Sequence, residues 1–369
     1  MKAGLQRFNI TRFEFPRDRR IGDSQVLVPN TNWVGALELV AADGLSGLGF
    51  FAALFDPLPA TKFLTDYFDR HLWTGLRHER PEALLNRVSR PRGGNVRSSL
   101  WDLAEAVELA LWDLAAKRLN LPLYRLLGGT QARQRAYASG LCFHLTDSQT
   151  HDFYTAARLD GYTAYKIKVG HPDLAWDLNR LKLVADAVGP QARLMVDANE
   201  AWAPHEALRR LKAYGEAGFA IHWVEDPVLR HDLVGLRELR QQLGAVMVNA
   251  GEYLSTDERL KLLDARGMDI MNLNGGVADG LRVGRACAAV GVPVTIGNTL
   301  MNVGAHLGAA LPEVDMIEDS RLDWNNILRR PIAVIDGHYV LSDSPGHGLE
   351  LAPDAVRDLT KPESVRVAV

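Results

Sequence analysis

The spacing of apolar residues changes twice along the chain, and each change predicts a different kind of element. Up to about residue 55, apolar positions alternate loosely with polar ones, as at Phe8, Ile10, Phe13 and Phe15. Residues two apart share one face of a strand, so this stretch predicts antiparallel β structure. The run from Val34 to Val40 is followed by Asp43-Gly44, a hairpin-type pair. Residues 60 to 127 predict helices instead: Leu103, Val107, Leu111 and Leu114 form a helical stripe, and Gly128-Gly129 stops the segment. From Arg135 onward, short apolar runs recur near residues 137, 165, 195, 223, 248, 271, 294 and 316, each followed by a helical stretch. Eight strand candidates 22 to 30 residues apart predict an α/β fold, a (β/α)8-type barrel. Its last one or two helices are expected to be short or replaced. After Arg330-Pro331 the chain turns polar and glycine-rich. The expected division is an α+β segment over 1–128, the barrel over 129–330, and a tail over 331–369 that packs back on the first segment.

Three of the strand candidates end in an acid. Asp197, Glu225 and Glu252 are 28 and 27 residues apart and close the runs that begin at Leu194, Ile221 and Val246. In a parallel barrel all strand C-termini open on one face, so these carboxylates converge there. Taken singly, each reads equally well as a solvated loop residue. As a set they repel one another unless a cation lies between them, and hard oxygen ligands suit Mg²⁺. The second strand candidate runs Ala164-Tyr165-Lys166-Ile167-Lys168-Val169. Its alternation points Lys166 and Lys168 into the barrel, one strand from Asp197. Repulsion between two ammonium groups, with partial burial, favours the neutral amine that a general base needs. Structural ion pairs with the acids are the competing reading.

Composition narrows the partners. The 369 residues are 47% hydrophobic and 24% charged with a net charge of −3, ordinary for a soluble globular protein. No basic stripe is present, which argues against nucleic acid. Cys142 and Cys287 are isolated and read as small buried hydrophobes in a reducing compartment. There is no signal-type apolar core at the N-terminus and no 18-residue apolar run. Neither a membrane nor nucleic acid is an expected partner, and the expected compartment is the cytoplasm.

Taken in order, Lys166-x-Lys168, Asp197-Ala198-Asn199, Glu225-Asp226-Pro227 and Gly251-Glu252 resemble the enolase superfamily, in its mandelate racemase-like and muconate lactonizing enzyme-like branches. The segment 110–129, Gly275-Gly276-Val277 and Pro345-Gly346-x-Gly348-Leu349 are also similar to that family, so the resemblance spans nearly the whole chain. It implies a capping domain built from the N-terminal segment and the C-terminal tail. It further implies Mg²⁺ held by Asp197, Glu225 and Glu252, with Lys168 as the base and Lys166 lowering its pKa. Glu318 matches a glutamate that hydrogen-bonds the substrate carboxylate, and Asn199 stands where a polar supporting group is common. The expected partner is a small-molecule carboxylate, and homo-oligomeric assembly is expected.

The departures matter as much. Gly297 stands where racemases and many acid-sugar dehydratases place a histidine, and Asn274 stands where the muconate branch places a lysine. His306 reads as structural, and Asp269 is out of register and takes no catalytic role. With no clear base opposite Lys168, a one-base dehydration of an acid sugar fits best; Lys168 itself, Tyr253 or His144 would supply the acid. A racemase, epimerase or cycloisomerase, or a non-catalytic ligand-binding member, are the alternatives. The loop at residues 17–24 would cover the barrel mouth, where Arg17, Arg19 and Arg20 would bind the distal end of the substrate.

Overall fold

The computed structural model describes residues 5–58, 99–360 and 365–368. The helices expected over 60–98 lie outside the described residues. Strands β1 (Leu5–Pro16), β2 (Thr31–Ala41) and β3 (Ser46–Ala53) form an antiparallel sheet. Helix α1 (Ser99–Arg118) lies across it. Its approach is close because Gly47 and Gly49 have no side chain: a Cβ at either would come within 1.8 Å of an α1 carbonyl. Phe8, Ile10, Leu37, Phe51, Leu103 and Val107 belong to the core between sheet and helix.

All eight barrel strands form: β4 (Arg133–Ser139), β5 (Ala164–Lys168), β6 (Arg193–Asp197), β7 (Ile221–Glu225), β8 (Met247–Ala250), β9 (Ile270–Leu273), β10 (Val294–Ile296) and β11 (Val314–Asp319). They pair in parallel in chain order, and β11 closes on β4 through Ile317 and Ala136. Side-chain caps start several of the intervening helices, including capping boxes at Thr146 with Gln149 and at Ser255 with Glu258. The seventh helix is reduced to Gly304–Ala310, and a 3₁₀ turn, Asp323–Ile327, follows β11.

The tail makes two sheet additions. β12 (Ala333–Ile335) and β13 (His338–Val340) form a hairpin that pairs antiparallel with the start of β4. β14 (Val365–Ala368) then joins β1. Between these, Leu123 N–H donates to the Gly346 carbonyl, and His347 bonds both Asp113 of α1 and the Leu48 carbonyl. The cap is thus made from both ends of the chain. Among the described residues, no helix is long and apolar enough to cross a membrane.

Candidate active site

Strand alternation builds the site in layers. Ala164, Met195, Trp223 and Met316 point into the barrel with Tyr137 and Ile270 and form a buried apolar floor. Two residues further along the same strands stand Lys166, Asp197, Glu225 and Glu318, and another step along β5 brings Lys168. These five are at most 7% exposed, and Glu252, just past β8, is 6% exposed. Lys168 pairs with Asp197 across β5 and β6, and beyond a register shift between Leu194 and Val196 Asp197 pairs with Glu225 of β7, so Lys168, Asp197 and Glu225 stand at one level.

Lys166 Nζ is the hub. It lies 2.8 Å from Glu225 Oε2, 3.1 Å from Glu318 Oε2 and 3.4 Å from Asp197 Oδ2. Lys168 Nζ donates to Asp197 Oδ2 at 2.6 Å and to Asn199 Oδ1 at 2.7 Å. Asn199 N–H donates to Asp197 Oδ1 at 3.0 Å, and Asn272 donates to Glu225 Oε1 at 3.0 Å. Glu318 also accepts from Ser320 Oγ at 3.1 Å. Glu225, Glu252 and Glu318 bring carboxylate oxygens within 4.8 Å of one another, a spacing that suits a metal ion. Asp197 joins this cluster through the two lysines.

The electrostatics differ from the sequence expectation. Burial opposes the charge on Lys166, but Glu225, Glu318 and Asp197 outweigh it, and the pKa moves well up. For Lys168 burial again lowers, the pull of Asp197 exceeds the repulsion from Lys166, and the net direction is up. Mutual repulsion alone therefore does not make the base, because each ammonium faces carboxylates. Burial raises Glu225, with Asp197, Glu252 and Glu318 adding to it against Lys166. Fully ionised, four carboxylates against two ammonium groups would carry two surplus negative charges, which suits a divalent cation with oxygen ligands.

A cavity of about 1050 Å³ opens above this layer. The barrel contributes Lys166, Lys168, Asn199, Glu252, Tyr253 and Glu318 to its walls, and the cap contributes Phe50, Ala52, Glu105 and Glu108. The loop after β1 does cover the mouth, but through Ile21, Gly22, Asp23, Gln25, Val26 and Val28. The three arginines are corrected: none is among the lining residues. Arg17 is buried, with Nε donating to the Pro29 carbonyl. Arg19 donates to the carbonyls of Ser320 at 2.6 Å and Arg321 at 3.0 Å, pinning the loop to the end of β11. Arg20 is exposed. A loop has no side-chain period, so which residues face inward was not readable from spacing.

Tyr253 is 41% exposed at the rim beneath Arg230. His144 Nε2 contacts the Val26 carbonyl at 3.0 Å, which makes it a support for the loop. His306 is buried, and burial pushes its imidazole down to about 3. Asp269 bonds Arg240 and the Val248 N–H. Opposite Lys168, Asn274, Asn298 and Thr299 line the wall. A Cβ on Gly297 would come within 2.8 Å of Asn272 Oδ1, so a side chain fits there only if Asn272 moves. Sequence reasoning missed Tyr137, Asn272, Glu108 and the Glu200–Arg230 pair. Strand alternation could have found the first two; the others meet only through the tertiary fold.

The mandelate racemase/muconate lactonizing enzyme N-terminal domain matches residues 31–128, and the enolase C-terminal domain-like family matches residues 151–355. The chain belongs to the mandelate racemase/muconate lactonizing enzyme branch of the enolase superfamily. Members of this superfamily are Mg²⁺-dependent enzymes. A solved candidate mandelate racemase from Mesorhizobium loti is 45% identical, with a TM-score of 0.91 over 97% of this chain and 95% of that one. L-talarate/galactarate dehydratase from Salmonella typhimurium LT2, solved with Mg and L-lyxarohydroxamate, is 25% identical, with a TM-score of 0.84 over 100% and 95% of the two chains. The 3,6-anhydro-alpha-L-galactonate cycloisomerase of Streptomyces coelicolor is 27% identical over 94% of this chain and 97% of its own.

Proposed function

We propose that this superfamily member is a Mg²⁺-dependent lyase that removes the α-proton of a carboxylate substrate and dehydrates an acid sugar. One observation carries the reading. Lys168 is buried between Asp197 and Asn199 on one wall, while amides and a threonine line the barrel wall opposite, which supports a reaction with a single barrel base. Asp197, Glu225 and Glu252 would hold Mg²⁺. When bound, the ion supplies positive charge to the substrate carboxylate as the α-carbon loses its proton. With a cation offsetting the carboxylates that hold it charged, Lys168 would act in its neutral form: Nζ takes that proton, and the electron pair moves into the carboxylate as an enediolate. The pair then returns to form the carbon–carbon double bond as the β-hydroxyl leaves. Lys168 hands its proton to the departing oxygen, giving water on the same face. Asn199 holds Lys168 in place, and the loop at residues 21–28 with the cap restricts water above it.

Isomerisation is the second reading, supported by the similarity to a cycloisomerase over nearly the whole length of both chains. A screen of acid sugars and N-acyl amino acids with Mg²⁺ in D₂O separates the two. Loss of water from an acid sugar is the expected result. Deuterium incorporation with retained composition would replace the lyase by an isomerase, and no exchange with any acid would remove the enzymatic reading.

A further inference from the structure

Arg230 follows β7 and reaches three of the loops that leave the candidate cation site. Its backbone N–H and Nε donate to Glu200 Oε1 at 2.5 and 2.7 Å, and Nη2 donates to Glu200 Oε2. Its guanidinium carbon lies 4.9 Å from the centroid of the Tyr253 ring. Glu200 is three residues past Asp197, Arg230 itself five past Glu225, and Tyr253 is next to Glu252. One side chain therefore joins the segments just beyond all three carboxylates, from strands β6, β7 and β8.

The joined backbone needs holding. Asn199, Glu200 and Asp226 have φ values of 45°, 64° and 37°, in the left-handed region that non-glycine residues disfavour. Such conformations persist where surrounding contacts over-determine them, and they cluster at functional sites. Glu200 N–H donates to the Asp226 carbonyl at 2.7 Å, so the two turns are also linked directly. The planar fork of arginine spans both oxygens of Glu200 and still stacks on Tyr253, which a lysine cannot do.

We propose that Arg230 is a positioning residue that sets the spacing of Asp197, Glu225 and Glu252 for a divalent cation, with Glu200 as its anchor. The inference rests on those carboxylates forming the cation site, as read above. Arg230 touches none of them; it acts through the turns that carry them, so its effect appears in metal affinity and geometry rather than in charge at the ion.

The test is Mg²⁺ calorimetry on the full metal-free chain, with Mn²⁺ EPR of the loaded protein as a second readout of coordination regularity. Arg230→Met and Glu200→Gln should each weaken Mg²⁺ about tenfold or more, within the roughly 10–100-fold range for groups that orient metal ligands. Both should broaden the Mn²⁺ spectrum. Arg230→Lys should recover part of the affinity. The double variant should be no weaker than the worse single, since both remove one device. If Arg230→Met does not fold, Glu200→Gln carries the test alone. Wild-type binding with both single variants within twofold of it overturns this inference and leaves the function reading standing. Absence of Mg²⁺ or Mn²⁺ binding in the wild type overturns the cation site and this inference together.

Discussion

Lys166 and Lys168 are two residues apart on one strand, yet their surroundings give them different tasks. Lys166 is enclosed by Glu225, Glu318 and Asp197, while Lys168 faces Asp197 and the amide of Asn199; both line the cavity. Removing Lys166 leaves buried carboxylates without their counter-charge. Lys166→Met should therefore cost the metal-free protein about 3–5 kcal/mol, the scale of breaking a buried ion pair. Denaturant unfolding measures this, and a loss below about 1 kcal/mol would make the hub incidental. Lys168→Ala should instead abolish α-proton exchange in D₂O with Mg²⁺ affinity little changed. Exchange at the wild-type rate would strip Lys168 of the base role. Both lysines were legible because a strand has a period of two and Asp197 lies one strand away. The same rule offered no help in the loop, where Arg17 and Arg19 turned out to hold carbonyls of the scaffold.

Among the elements, the helix Val277–Ala289 shows what a local pattern leaves unread. Its N-cap is Gly276, which has no side chain to cap with. The cap comes instead from α1: Glu108 Oε1 accepts from the Ala278 N–H at 2.6 Å and from Trp112 Nε1 at 3.1 Å. Gly276 has to be small, since a Cβ there would come within 2.2 Å of Glu108 Oε2. A glutamate on α1 thus satisfies one of the orphan donors of a barrel helix and fastens cap to barrel. Burial pushes the Glu108 carboxyl up to about 8, against the opposing pull of the Ala278 amide. A folded pKa above the ordinary value of 4.5 means that the unfolded chain releases this proton first as pH rises. The contribution of Glu108 to stability is therefore full below about pH 4.5 and is lost progressively until the folded group titrates near 8. Glu108→Gln removes this dependence. The melting temperature of the wild type minus that of the variant should fall between about pH 5 and pH 9. A difference that stays constant would mean that the folded carboxyl titrates where the unfolded one does. Helix periodicity placed Glu108 on a helix but could not name a partner 170 residues away.

At the scale of the molecule, the eight strands were legible because each βα unit carries its own period and its own turn signals. The tail was less so: β13 pairs with β4 and β14 with β1, and antiparallel partners so distant leave no trace in local spacing. The cavity between cap and barrel is likewise a property of the assembled chain, and with it the charge imbalance at its floor. Four buried carboxylates around two lysines keep surplus negative charge out of water, at a cost the rest of the fold must offset. A cation that binds the folded chain and finds no such cluster in the unfolded one adds stability of RT ln(1 + [Mg²⁺]/Kd), about 2.7 kcal/mol at a hundredfold excess over Kd. Mg²⁺ should therefore raise the melting temperature of the metal-free protein by several degrees, in step with its calorimetric Kd. NaCl at matched ionic strength screens exposed charges but reaches the buried layer much less, so it should reproduce little of the rise. Asp197→Asn removes one surplus charge and one expected ligand, and should both raise the metal-free melting temperature relative to Asp197→Ala and abolish the response to Mg²⁺. Equal stabilisation by NaCl and Mg²⁺ would reduce the effect to general screening, and the carboxylate layer would then be an ion-pair network without a metal.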